Sequence, residues 1–271
     1  MPAPTRTDRP ASRGNQAVQR WDNEAARHVV VLAHGIGEHV RRYDHVADAL
    51  VDAGAVVYAP DHYGHGESDG EQALVDDIEV MVTDLVAVAR DAVEAHPGLP
   101  LVLVGHSMGG LIAVRTAQRG GLPLDALVLS GPFLGNPAFE PLLTLDPMPD
   151  VPVDPSLLSR DERVGEAYAA DPLVYHGSLR QESLRGLFAA VAAVQSGPRL
   201  SVPTLWLHGA EDGLAPAEVS RAELERIRPE VFEEHVYPGA KHEIFNETNQ
   251  LEVISHLVDF VERTVHSRTS A

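Results

Sequence analysis

Cysteine is absent from all 271 residues. That one absence removes disulfides, thiolate nucleophiles, zinc knuckles and iron–sulfur clusters together. Positive charge is scarce: 21 Lys and Arg stand against 40 Asp and Glu, for a formal net charge of −19. A surface of that sign repels phosphate backbones and anionic headgroups, so nucleic acid is not an expected partner. No run approaches the ~18 consecutive apolar residues of a membrane helix. Met1 to Arg27 is rich in Arg, Pro, Ser and Asn and holds no apolar core segment, so no secretory signal is expected and the cytoplasm is the expected compartment. A Gly-x-Gly-x-x-Gly fingerprint after the first strand is missing too, and no dinucleotide cofactor is expected. What remains is an ordinary globular composition, 44% hydrophobic and 23% charged. A chain of this length buries roughly 70–75% of the surface its unfolded state exposes.

Apolar runs alternate with helical patterns. Strands are expected at Val29 to Ala33, Ala55 to Ala59, Leu101 to Val104, Ala126 to Leu129 and Thr204 to Leu207, with a short one at Phe232 to Tyr237. Continuous apolar runs suit strands covered on both faces, as in a parallel sheet. Between them, apolar residues recur at helical spacing over Tyr43 to Ala53, Asp77 to Ala95, Leu111 to Gln118, Ala217 to Ile227 and Leu251 to Val265. Strand–helix alternation predicts an α/β fold with right-handed crossovers. One connection is far too long. About 70 residues separate Ser130 from Thr204, where a crossover needs a dozen or so. Its first half is proline-rich and its second half carries two helical stretches, Asp161 to Ala170 and Gln181 to Val194. The expected organisation is a core of residues 1–131 and 203–271 with a lid or cap inserted at 132–202.

The chemistry concentrates at Gly105-His106-Ser107-Met108-Gly109, directly after an apolar strand and before a helical segment. Such a turn is a nucleophile elbow, which lifts the Ser107 hydroxyl above the sheet at a helix N-terminus. Serine is a poor nucleophile until a base, held by a third group, takes its proton. The chain order serine, acid, histidine selects Asp212 and His242. Asp212 sits on a Gly-flanked turn after the Thr204 strand, with Glu211 as the rival acid, and His242 follows Pro238-Gly239 in the last loop before the final helix. Two backbone N–H groups are needed for an oxyanion: Met108, next to the nucleophile, and Ile36, in the Gly-flanked loop after the first strand. Histidines at 34, 39, 45, 62 and 65 with Asp61 invite a metal reading, but they divide between two separate Gly-rich loops and no metal is expected.

Four segments carry a resemblance: His34-Gly35-Ile36-Gly37-Glu38-His39 with Arg42-Tyr43, Asp61-His62-Tyr63-Gly64-His65-Gly66-Glu67-Ser68, Gly105 to Gly110, and His242 to Glu247. Together, with Asp171-Pro172-Leu173, they resemble the bacterial monoacylglycerol lipases from about Val29 to the end of the chain. The resemblance implies the α/β-hydrolase fold, a mostly parallel sheet with helices on both faces and a small lid. It also implies a serine carboxylester hydrolase for single-chain glycerides, using no cofactor. Glu38 and Arg42 match positions that the family associates with the polar head of the substrate; by spacing alone they form an i,i+4 ion pair at a helix start. The stretch Pro132 to Leu158 is shorter and richer in proline than the family's apolar lid entrance, and the acyl tunnel has no cysteine.

The leading expectation is therefore a small-molecule ester substrate, with at most transient contact with a lipid surface. An esterase for small aromatic monoesters, such as phthalate monoesters, or for lactones is the alternative, followed by a ligand-binding protein on the same fold. A reduced lid entrance and a charge of −19 offer little apolar area to an interface. Across a monoacylglycerol series, the rate is expected to peak near about C8–C12, with little gain above the critical micelle concentration. A maximum at long chains with a sharp jump on micellisation would identify an interfacial lipase instead.

Overall fold

The computed structural model describes residues 3–150 and 152–269. Eight strands form one sheet: β1 (Thr5–Pro10), β2 (Asn15–Trp21), β3 (His28–Ala33), β4 (Ala55–Pro60), β5 (Leu101–His106), β6 (Leu124–Ser130), β7 (Thr204–Gly209) and β8 (Phe232–Tyr237). Their spatial order is β1-β2-β4-β3-β5-β6-β7-β8. From β4 to β8 every pairing is parallel, whereas β1 and β2 run antiparallel at one edge. The helices are α1 (Asp44–Asp52), α2 (Ile78–Ala95), α3 (Met108–Arg119), α4 (Glu162–Ala170), α5 (Gln181–Ser196), α6 (Ala217–Ile227) and α7 (Gln250–Thr269).

The N-terminal hairpin corrects the sequence reading, which placed no strand before Val29. Strand β1 (TRTDRP) has almost no apolar residue and stays exposed, so no periodicity marks it. Its anchor is polar: Ser12, in the hairpin turn, donates through N–H and Oγ to the buried Asp84 of α2 at 2.8 and 2.6 Å. The inner strands β3 to β7 are buried on both faces, as their continuous apolar runs require.

Two apolar clusters fill the two faces. One joins α2, α3, α5 and α6 to the sheet, and the other joins α1, α7 and the loop around Ile244 and Phe245. Helix α2 illustrates the logic. Asp77 caps it by accepting from Glu79 N–H at 2.9 Å. Ile78, Met81, Val82, Leu85, Val88, Ala89 and Ala92 then form its buried stripe. Between β6 and β7 lie two short 3-10 turns (Glu140–Thr144 and Pro155–Leu157), α4 and α5. Helix α5 is seated on the core: Ser183 Oγ donates to Ala73 O at 2.9 Å and accepts from Val75 N–H at 3.0 Å. A Cβ at Gly186 would come within 2.2 Å of Val75 O, so only glycine permits this approach.

Leu85→Ala removes a fully buried side chain from the α2 stripe and is expected to cost about 2–5 kcal/mol. Leu251→Ala, at a position 81% exposed, is expected to stay within about 0.5 kcal/mol of the parent. Urea unfolding midpoints check the pair.

Candidate active site

Strand β5 ends in a backbone that few residues adopt. Ser107 has φ 54° and ψ −118° and is the N-cap of α3, a region costly for any residue with a Cβ. Two contacts explain the flanking glycines. A Cβ on Gly105 would lie 2.3 Å from Gly109 O, and one on Gly109 would lie 2.1 Å from Ala33 O. The turn therefore closes on itself and against the end of β3, and the Ser107 side chain projects from it. Helix α3 begins at Met108, three residues before the sequence pattern shows it, because the glycines at 109 and 110 carry no apolar signal. As the first residue of a helix, Met108 has an amide with no intrahelical acceptor.

Asp212 and His242, the expected acid and base, arrive from the loops after β7 and β8. His242 Nε2 lies 2.9 Å from Ser107 Oγ, and His242 Nδ1 lies 2.7 Å from Asp212 Oδ2. The Asp212 carboxylate is buried and well provided with donors. Its Oδ1 accepts from Leu214 and Ala215 N–H, both at 2.9 Å, and its Oδ2 also meets His208 Nε2 at 3.1 Å. Burial alone would push the Asp212 carboxyl up, but the charge of His242 and the hydrogen bonds from His208 and His242 outweigh it and hold it well below the usual carboxylate range. Burial likewise opposes the imidazolium of His242, yet Asp212 raises it above the ordinary histidine value. Glu211 is exposed and stands apart from both groups.

The loop after β3 completes the surroundings. Glu38 Oε1 accepts from Gly35 N–H at 2.7 Å and from Tyr43 O–H at 2.5 Å, which bends the loop toward the elbow. A Cβ on Gly35 would stand 3.2 Å from Ser107 Cβ, so the loop that carries Ile36 passes close to the serine, and both residues line one cavity. The i,i+4 pair forms, with Arg42 Nη1 2.8 Å from Glu38 Oε2. Arg42 also grips Glu243 through two bonds, of 2.6 and 2.8 Å, and lies over the Tyr168 ring. Burial would lower the Arg42 guanidinium; Glu243 and Glu38 reverse this and raise it. Glu243 and Tyr168 escaped the sequence reading, although an acid next to His242 was visible. The two Gly-rich loops, taken as separate from sequence, are in contact. The His34 ring lies 4.4 Å from that of His62 and 5.3 Å from that of His65. Among the described residues no group of three His, Asp or Glu is placed to share a metal ion. Burial instead lowers His62 to about 3 and His65 to about 4, and His34 accepts from His62 N–H at 2.9 Å.

Ser107 and His242 open on a cavity of about 260 Å³. Most of its wall is apolar (Ile36, Met108, Phe133, Phe139, Leu142, Met148, Leu158, Leu187 and Leu214), and it comes largely from the 132–202 segment and its neighbours. Glu38, Arg42, Tyr168 and Glu243 form a charged corner, and Asp154 is a further acidic residue of the lining. With Asp212 raising His242, the acid limb of kcat/KM is expected above the ordinary histidine value of about 6.5. Activity needs neutral His242, so it rises with pH through that limb and then levels. Asp212→Asn is expected to cost roughly 10⁴ in kcat, whereas Glu211→Gln leaves kcat near the parent value. Equal losses in both would move the acid assignment.

Comparison with known proteins shows the family of this chain. The model of the serine aminopeptidase S33 family matches residues 24–249. Over 246 residues the chain is 38% identical to the monoacylglycerol lipase of Mycolicibacterium smegmatis, covering 87% of this chain and 88% of that protein. It is 33% identical to human monoglyceride lipase over 254 residues, covering 89% and 83%. Among solved structures, the monoacylglycerol lipase of Paleococcus ferrophilus superposes with a TM-score of 0.78 at 28% identity, over 90% of this chain and 96% of that one. The chain belongs to the serine aminopeptidase S33 family of α/β-hydrolases, the family that includes these monoacylglycerol lipases.

Proposed function

We propose that this protein hydrolyses monoacylglycerols through an acyl-enzyme. The observation that carries the reading is the Ser107–His242–Asp212 chain of 2.9 and 2.7 Å bonds opening on a largely apolar cavity with a charged corner at Glu38, Arg42 and Glu243. Ser107 Oγ attacks the ester carbonyl while His242 Nε2 takes its proton. Asp212 keeps the other ring proton on Nδ1 and stabilises the imidazolium. The Ile36 and Met108 amides receive the oxyanion. Collapse expels the alcohol, which takes the proton back from His242, and water repeats the sequence on the acyl-enzyme. In this reading residues 132–202 act as the cap that supplies the acyl wall, Glu38 and Arg42 border the glycerol moiety, and the enzyme works in the cytoplasm.

The charged corner separates monoacylglycerols from aromatic monoesters. Glu38 and Glu243 both serve purely as acceptors around one guanidinium, which leaves a net charge of −1 there. A glycerol moiety is neutral. A phthalate monoester with its alkyl chain in the apolar cavity would bring a second carboxylate to this corner. At ~6 Å and an effective dielectric of ~20 the repulsion amounts to about 2–3 kcal/mol, roughly a hundredfold in kcat/KM. A monoacylglycerol is therefore expected to outpace a monoalkyl phthalate of equal chain length by about that factor, and Ser107→Ala to abolish both activities while keeping the thermal midpoint. Faster turnover of the phthalate would replace this substrate class, and hydrolysis persisting in Ser107→Ala would remove the mechanism.

A further inference from the structure

Behind Asp212 lies a second buried imidazole that the reaction scheme leaves idle. His208 is the penultimate residue of β7, four residues before Asp212, and is completely buried, as is Trp206 one turn of the pleat earlier. Trp206 Nε1–H donates to His208 Nδ1 at 2.9 Å. An indole N–H is a donor only, so His208 Nδ1 must accept and its one proton sits on Nε2. On that side His208 Nε2 faces two acceptors, Ala215 O at 2.6 Å and Asp212 Oδ2 at 3.1 Å. Oδ2 is the same oxygen that His242 Nδ1 approaches at 2.7 Å.

We propose that Trp206 and His208 form a positioning relay that holds His208 as a neutral donor to Asp212 and thereby sets the basicity of His242. A second proton on His208 would have to occupy Nδ1, donor against donor with the indole. The relay thus gives Asp212 Oδ2 a hydrogen bond without giving it a competing cation. Part of the carboxylate's charge is spent on His208, and His242 feels the remainder. The role rests on the assignment of Ser107, His242 and Asp212 proposed above.

The other groups that face this cluster are accounted for. Arg221 of α6 stacks on the outer face of Trp206, 4.9 Å from the ring centre, and is paired with Glu234 of β8. His106 lies 4.8 Å from His242 and is held near 3 by burial, with the nearby His242 adding to the shift, so it remains uncharged in the working range. Glu243 and Glu38 act on His242 from the far side, in the same direction as Asp212. None of these touches the Trp206–His208 bond.

Three variants and one soluble short-chain p-nitrophenyl ester test the relay through the pH profile of kcat/KM. His208→Leu removes a donor from Asp212, concentrates the carboxylate on His242 and is expected to move the acid limb up by about half to one pH unit. Trp206→Phe frees Nδ1 to take a proton. The resulting imidazolium competes for Oδ2, and the limb is expected to move down by a similar amount. His208→Gln can accept from the indole and donate to Asp212, and is expected to restore the parent limb. Ring ¹⁵N shifts of His208 should report the proton on Nε2 and Nδ1 as the acceptor in the parent, and an altered Nδ1 in Trp206→Phe. If His208→Leu does not fold, the Trp206→Phe and His208→Gln profiles decide alone. Limbs that stay at the parent position while kcat falls would make both residues mere packing and overturn the relay. A parent profile with no histidine limb at all would instead overturn the catalytic assignment on which the relay rests.

Discussion

Everything at this site depends on the backbone of one residue. Ser107 occupies a left-handed conformation, φ 54°, that its own side chain disfavours, and the fold holds it there by removing side chains on both sides. Gly109 meets the last carbonyl of β3, and Gly105 meets Gly109. The strand ends, the helix start and the serine are thus locked by close packing together with backbone hydrogen bonds, Ser107 N–H to Ser130 O and Phe133 N–H to Ser107 O, both at 3.0 Å. The local cost, of order 1–3 kcal/mol, is offset by the burial of β3, β5 and α3 in one apolar cluster. The benefit is geometric. The hydroxyl stands clear of the sheet at the one place where strands β3, β7 and the loop after β8 can all deliver a partner.

The polar framework around the serine is built from side chain to backbone. Glu38 shapes the β3 loop through Gly35 N–H, and Asp212 shapes its own loop through Leu214 and Ala215 N–H. Asn136 bonds to the carbonyls of Gly213 and Leu214 and so links the base of the inserted segment to the acid loop. His39 and Asp171, 2.8 Å apart, join the same segment to the β3 loop, and Arg42 joins the β3 loop to the histidine loop through Glu243. Each of the loops that supply chemistry is therefore braced against another. Their buried charges are paired, which is the condition for keeping them in a region of low dielectric.

The inner strands, most helices and the three side chains that meet at the elbow were legible in the sequence for physical reasons. Strands covered on both faces must be continuously apolar, and an elbow must be glycine-flanked, so both leave local signals. The elements that were not legible are those whose stability is settled at a distance. The β1–β2 hairpin is polar and is anchored by Asp84, some 70 residues away in sequence. The apolar run of α5 shows in the sequence, but its seat does not: Ser183 and Gly186 fix it on the loop before α2, some 110 residues earlier. Glu243 and Tyr168 become neighbours of Glu38 only once Arg42 gathers them. His208 carries a signal of its own, a histidine four residues before the acid, but its meaning depends on the indole two residues earlier.

The central claim is that the folded chain generates one activated serine at position 107, with His242 as its base. Treatment with a fluorophosphonate probe, followed by peptide mass spectrometry, measures this directly without presuming any substrate. The account predicts one stoichiometric adduct, on Ser107, formed at a rate that rises as His242 loses its proton, and absent from His242→Ala on the same timescale. An adduct on another residue, or labelling of His242→Ala at the parent rate, would contradict it.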